Sequence, residues 1–168
     1  MSSQKIALIT GAAARIGAEI ARNLHAAGCR VIIHFNSNEA GASALASELN
    51  EQRENSAAIV PADLSQMDGV ADLADKTRSI INGWGGSLDV LVNNASRFYP
   101  TPVSETQLYE WDDLLNSNLR GPYFLIRALL EELRSGGGSI INILDIHSER
   151  PMRDHTVYCI SKAGMNMM

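Results

Sequence analysis

The chain has 168 residues, a length suited to one domain, and its 45% hydrophobic and 20% charged residues are the balance of a soluble globular protein that can bury a core. No apolar run reaches the roughly 18 residues needed to span a bilayer, and MSSQKIALIT at the N-terminus lacks the apolar stretch and cleavage site of a secretory signal. A net charge of −5 argues against nucleic acid as a partner, and Cys29 and Cys159, far apart, read as free thiols of a cytoplasmic protein rather than a disulfide framework.

In chain order, KIALIT (5–10) reads as a first strand. A glycine-bearing loop leads into a helix with Ile16, Ile20 and Leu24 on one stripe, and Gly28 falls where that helix is capped. RVIIHF (30–35) is the next strand, residues 39–52 an amphipathic helix, AAIVPAD (57–63) a strand with its exit, and residues 67–82 another helix. LDVLVNN (88–94) is a fourth strand. Helical patterns then cover about 105–118 and 122–134. GGG at 136–138 breaks the chain before a fifth strand, SIINIL (139–144), and the last helix starts near Val157. Strands without polar alternation, separated by helices, predict a parallel sheet covered on both faces, a doubly wound α/β fold. No repeat or linker divides the chain, so residues 1–168 read as a single domain. Trp84 and Trp111 are expected to pack. His25, His34, His147 and His155 show no zinc-ligand spacing, so no metal is expected. The absence of G-x-S-x-G sets a hydrolase aside.

TGAAARIGAEIARNL places Gly11 and Gly17 between the first strand and the first helix. Glycine permits a tight turn and a close backbone approach to phosphate, and the helix N-terminus offers free N–H groups and a positive dipole end. Arg15 inside the loop suits the 2′-phosphate of NADP, and HFNSN (34–38) carries no acid for a free ribose hydroxyl. Both features favour NADP over NAD.

Four signals occur in order: TGxxxxxG, Asp63-Leu64 after strand three, NNAS (93–96) after strand four, and Tyr158-x-x-x-Lys162. Together they resemble the short-chain dehydrogenase/reductase family over essentially the whole chain. The resemblance implies a Rossmann-like domain with Gly11, Arg15, Ile16, Gly17, His34, Phe35, Asn36, Ser37, Asp63, Leu64, Asn93, Asn94, Ala95 and Ser96 along the cofactor. Asp63 would contact the adenine end and Leu64 pack on its ring. Asn118 would support a water linked to Lys162. Tyr158 would donate the proton, and Lys162 would hold the nicotinamide ribose. A lysine ammonium beside the phenol is expected to draw its pKa from about 10 toward neutral.

The family usually has serine thirteen residues before the tyrosine; here Asp145 stands there. A carboxylate would repel a developing alkoxide, which argues against simple ketone reduction. It suits a C=N bond, whose nitrogen takes a proton as the adjacent carbon takes hydride. Aspartate here is the pattern of the pteridine reductases, and NNASRFYPTP (93–102), TGAAARIG, PYFLIRA and HFNSN are similar to that branch too. That resemblance implies NADPH-dependent reduction of a pterin or folate, of the dihydrobiopterin, dihydromonapterin or dihydrofolate class. Phe98 would stack on the pterin, with Ser96, Arg15, Asp145 and Tyr158 also touching substrate, in a homotetramer. The alternatives are a carbonyl (3-oxoacyl or similar) reductase of the same family, in which Asp145 is incidental, and a non-catalytic dinucleotide-binding protein. The chain stops six residues past Lys162. By the resemblance, the C-terminal part of the fold is expected to be missing, with one face of strand five exposed.

Overall fold

Residues 4–168 are described by a computed structural model, in which the apolar runs form β1 (Ile6–Ile9), β2 (Arg30–Phe35), β3 (Ala57–Pro61), β4 (Leu88–Asn93) and β5 (Ser139–Asn142). All pair in parallel, in the order β3-β2-β1-β4-β5. The helices are α1 (Arg15–Ala26), α2 (Glu39–Gln52), α3 (Met67–Trp84), α4 (Leu108–Leu115), α5 (Gly121–Ala128), α6 (Leu130–Gly136) and α7 (Thr156–Met167). A Rossmann-like α/β fold results. None of the described helices is long and apolar enough to cross a membrane.

The lack of alternation in the strands has a direct cause. In β1, Ile6 and Leu8 enter one core with Leu73, Ile81, Leu125 and Leu129, while Ala7 and Ile9 enter another with Ala18, Ala21, Leu45 and Leu49. Both faces are covered, so neither tolerates polar residues. Each buried leucine or isoleucine among them contributes about 1.5–3 kcal/mol by leaving water, and each alanine less. In β4, Leu88 and Leu91 share one core despite their odd spacing. A register shift explains this: Ile6 pairs with Leu88 but Ala7 pairs with Val90. The extra residue, Asp89, turns its carboxylate to the Ile6 N–H at 2.8 Å.

Four local expectations change. Ile16 is 63% exposed, and the buried face of α1 is Gly17, Ala18, Ala21 and His25. Small residues let this helix sit close to the sheet, while Ile20 and Leu24 only flank the core. The helix expected at 105–118 begins at Leu108 and runs into one wide π turn, Asn116–Arg120; the next is divided at Leu129. Trp84 packs on the core with Arg30 over its ring, but Trp111 is 40% exposed. In β5, the neighbouring Ile140 and Ile141 are both open, so both faces of this strand are exposed rather than one. Gly28 follows the cap of α1 at φ 98°, where a side chain would strain the backbone.

Candidate active site

The sheet's strand order reverses at β1, with β2 and β3 running to one side and β4 and β5 to the other. Such a switch point leaves a crevice at the C-terminal strand ends. A cavity of about 710 Å³ occupies it, walled by the glycine loop, the ends of β2 and β3, the loop after β4, Asp145, Tyr158 and Lys162.

The glycine loop is drawn tightly over its neighbours. Gly11 takes φ 63°, and a Cβ there would lie 2.9 Å from the Ala95 Cα. A Cβ on Gly17 would lie 2.4 Å from the Gly11 carbonyl oxygen and 2.6 Å from the Asn94 amide nitrogen. Asn94 Nδ2 donates to the Thr10 and Gly11 carbonyls at 2.9 and 3.1 Å. The Thr10 hydroxyl accepts from the Asn94 and Ala95 N–H groups, both at 3.0 Å. Arg15 and Ile16 are exposed on the cavity wall.

At the end of β2, Asn36 and Ser37 are open to the cavity and Phe35 is buried against it. His34 also borders the cavity, from beneath the loop. It is 1% exposed, and both ring nitrogens are engaged, with Gly11 N–H and the Ala62 carbonyl. Burial lowers its pKa to about 4, so it is neutral and carries no charge for a phosphate. Leu64, at the exit of β3, is a core residue with one edge on the cavity. Asp63 lines the wall, but its Oδ1 accepts from Ser65 N, Ser65 Oγ and Arg97 Nη2. Burial opposes its ionisation; the Ser65 hydrogen bonds and the Arg97 charge outweigh that and hold its pKa below the usual carboxylate value.

Of the residues after β4, Asn94, Ala95, Ser96, Arg97 and Phe98 reach the cavity. Asn93 does not: it is 1% exposed and donates to Asn142 Oδ1 at 2.9 Å. Asn118 also stands behind the wall. Its Oδ1 accepts from Arg97 N and Ser117 Oγ, and its Nδ2 donates to the Arg97 carbonyl and Ser161 Oγ. That fills the side chain's bonding capacity. Through this side chain Asn118 braces the loop after β4. Phe98 is 54% exposed, stacked on His155 at 4.6 Å and edge-on to Tyr158 at 4.8 Å.

Tyr158 and Lys162 share one face of α7, and Asp145 is brought to them by the turn after β5. The Tyr158 hydroxyl donates to Asp145 Oδ2 at 2.5 Å, while Asp145 Oδ1 accepts from His147 N and caps a short turn. Lys162 Nζ donates to the Ile143 carbonyl at 3.0 Å and lies 5.9 Å from the phenol ring centre. The expected effect on the phenol is reversed. Burial, then the hydrogen bond and charge of Asp145, push the Tyr158 pKa up rather than down. The carboxylate is the nearer charge. Lys162 is lowered by its own burial, partly offset by Asp145. Burial works against ionisation of Asp145, but the Tyr158 and His147 hydrogen bonds and the Lys162 charge leave its pKa low. At neutral pH the arrangement is therefore phenol against carboxylate, with Lys162 behind.

Arg97 and His155 were not singled out from sequence. Arg97 joins Asp63 and Asp113, and Tyr99 donates to Asp113 at 2.9 Å. These partners lie 34 and 16 residues from Arg97, beyond any local signal. Among the described residues, no group of three or more His, Cys, Asp or Glu side chains is placed to hold a metal ion. Cys29 and Cys159 are both free thiols.

The family described as short chain dehydrogenase matches residues 5–168. Pteridine reductase 1 of Leishmania tarentolae is 36% identical, over 95% of this chain and 67% of its own length. A short-chain type dehydrogenase/reductase of Picea abies is 35% identical, over 98% of this chain and 62% of its own. An uncharacterized oxidoreductase of Staphylococcus aureus is 28% identical over 98% and 68%. The chain thus spans about two thirds of the length of the curated relatives it matches.

Proposed function

The chain belongs to the short-chain dehydrogenase/reductase family of oxidoreductases, which use a nicotinamide dinucleotide, and from that premise we propose that it is an NADPH-dependent pteridine reductase. The observation that carries the reading is the hydrogen bond from Tyr158 to the Asp145 carboxylate. The 36% identity to a pteridine reductase supports it.

The crevice fits a dinucleotide. Its volume lies within the usual range of roughly 300–1,000 Å³ for ligand sites, and both loop glycines stand where a Cβ would collide. The α1 N-terminus would receive the pyrophosphate. Arg15, Asn36 and Ser37, exposed together, would meet the 2′-phosphate, with Phe35 behind them. Asp63 and Leu64 would flank the adenine, Asn94, Ala95 and Ser96 the middle of the cofactor, and Lys162 the nicotinamide ribose. NADPH, when bound, supplies hydride to a ring carbon of the pterin.

The chain's own residues would then orient the ring and move the proton. Phe98, held by His155, offers a flat wall beside Tyr158 on which a heterocycle can stack. Arg15 and Ser96 would reach the pterin's polar edge. Tyr158 keeps its proton at neutral pH, which is what a donor to the ring nitrogen requires. Asp145 holds the phenol by its Oδ2 and is open to solvent, so a proton can return to Tyr158 through it. Its negative charge disfavours an alkoxide and is tolerable next to a nitrogen gaining a proton. The same reading makes the protein a cytoplasmic homotetramer, with exposed Leu108, Tyr109, Tyr123 and Ile160 at contacts of α4, α5 and α7.

The test is oxidation of NADPH, followed at 340 nm, with dihydrobiopterin, dihydromonapterin or dihydrofolate. Turnover with at least one is expected, and Asp145→Ser should abolish it. Silence with all three, or pterin turnover that survives Asp145→Ser beside new ketone reduction, sinks the proposal.

A further inference from the structure

We propose that His34 is a positioning residue of the cofactor loop: its neutral imidazole, as the Nε2–H tautomer, holds Gly11 in place for phosphate binding, and a proton on Nδ1 releases it. The inference rests on the reading of the crevice as a dinucleotide site.

The geometry dictates the tautomer. Gly11 N–H donates to Nδ1 at 3.1 Å, so Nδ1 has no hydrogen; Nε2 lies 3.1 Å from the Ala62 carbonyl oxygen, so Nε2 carries one. The next amide of the loop, Ala12 N–H, donates to the His34 carbonyl at 2.8 Å. His34 therefore grips two consecutive loop residues, one by its ring and one by its backbone. Asn94 holds the same turn from the opposite side through the Gly11 carbonyl. The ring also ties the loop to the exit of β3, where Asp63 and Leu64 begin the other wall of the crevice. One buried side chain thus bridges the phosphate end and the adenine end of the site.

A proton on Nδ1 would set N–H against N–H at Gly11 and bury a charge. The surroundings offer little compensation. The glycine loop brings no charge under the ring, and Arg15 at its end is exposed. Past the end of β3, the Ala62 carbonyl and then Asp63 favour the charged form, but that carbonyl is already bonded to the neutral ring and the Asp63 carboxylate is bound by Ser65 and Arg97. Burial dominates, and it holds the His34 pKa well below neutral pH, at about 4. Because NADPH would select the neutral form, its apparent affinity should fall about tenfold for each pH unit below that pKa.

The experiment pairs two readouts on the protein. Ring ¹⁵N NMR of the ligand-free protein reports the His34 tautomer and titration, and the Gly11 amide resonance reports the loop. Fluorescence quenching gives the NADPH affinity across the acid range, for the parent and His34→Asn. Asparagine keeps an acceptor near the Nδ1 position and does not titrate, whereas His34→Leu removes it. Expected are the Nε2–H tautomer, a Gly11 resonance that shifts as His34 titrates, and weaker NADPH binding in acid. Asparagine should restore binding and flatten its acid limb; leucine should weaken binding at every pH. A Nδ1–H tautomer, a Gly11 amide indifferent to His34 titration, or the same acid limb in His34→Asn overturns the proposal while NADPH still binds. Absence of NADPH binding at all pH values, with the Nε2–H tautomer in place, overturns instead the dinucleotide reading and with it the purpose assigned to His34.

Discussion

Replacing Asp145 by asparagine removes one negative charge and keeps an oxygen where the Tyr158 hydroxyl donates at 2.5 Å. Hydrogen bonds to a charged partner contribute about 1.5–3 kcal/mol, and a neutral amide retains part of that. Asp145 is exposed, so screening keeps the difference near the low end, at about 1–2 kcal/mol. The Tyr158 pKa, now raised by burial and by Asp145, should fall by about one unit. Lys162 should move the same way, because Asp145 is the charge that partly sustains its ammonium. Selective ¹³C labelling of the tyrosine ring and the lysine side chain reads both titrations in one sample. A Tyr158 pKa that stays put or rises in Asp145→Asn would show that burial alone sets it, and the phenol–carboxylate argument would fall. The pH–rate profile supplies the second half of the test. If Asp145 returns protons to the phenol, the variant loses turnover and its acid limb; an unchanged rate and profile leave Asp145 only as the residue that positions Tyr158.

Gly17→Ala would set a Cβ against the Gly11 carbonyl, which calls for a loop shift costing about 1–3 kcal/mol; thermal unfolding should show the loss and calorimetry a weaker NADPH titration. His34 links folding to pH. Its folded pKa of about 4 lies below the ordinary 6.5, so its contribution is complete above the higher value and is lost as pH falls toward the lower one. Urea unfolding should find about 2 kcal/mol less stability at pH 5 than at pH 7 from this group, and His34→Asn should remove that part of the slope. Arg97→Ala takes away bonds to both Asp63 and Asp113 and leaves two carboxylates without their cation. A loss of about 1–3 kcal/mol is expected by urea unfolding, with the Asp63 pKa rising toward its ordinary value.

The fold was legible because its cause is repetitive. Every strand from β1 to β4 is covered on both faces, so each appears as an apolar run, and the runs are spaced by helices. The ends of β2 and α2 follow from local composition and match the expected residues at both limits. The register shift at Asp89 was not legible, since it depends on which strand lies beside Ile6.

The site divides along the same physical line. Gly11 and Gly17 announce themselves because the backbone crowding that excludes a Cβ is a property of the turn. Asp145, Tyr158 and Lys162 were found as residue types, and the structure does bring them together. The sign of their interaction was not available. Spacing on α7 pairs Tyr158 with Lys162, whereas the turn after β5 decides that the carboxylate touches the phenol and that the ammonium turns to the Ile143 carbonyl. His34 shows the same rule from the other side. In a sequence, a histidine at a strand end is a candidate cation; burial beneath Gly11 makes it a neutral acceptor. A residue's charge state belongs to its surroundings, and those are assembled here from β1, β2 and β3, which meet only in the folded sheet.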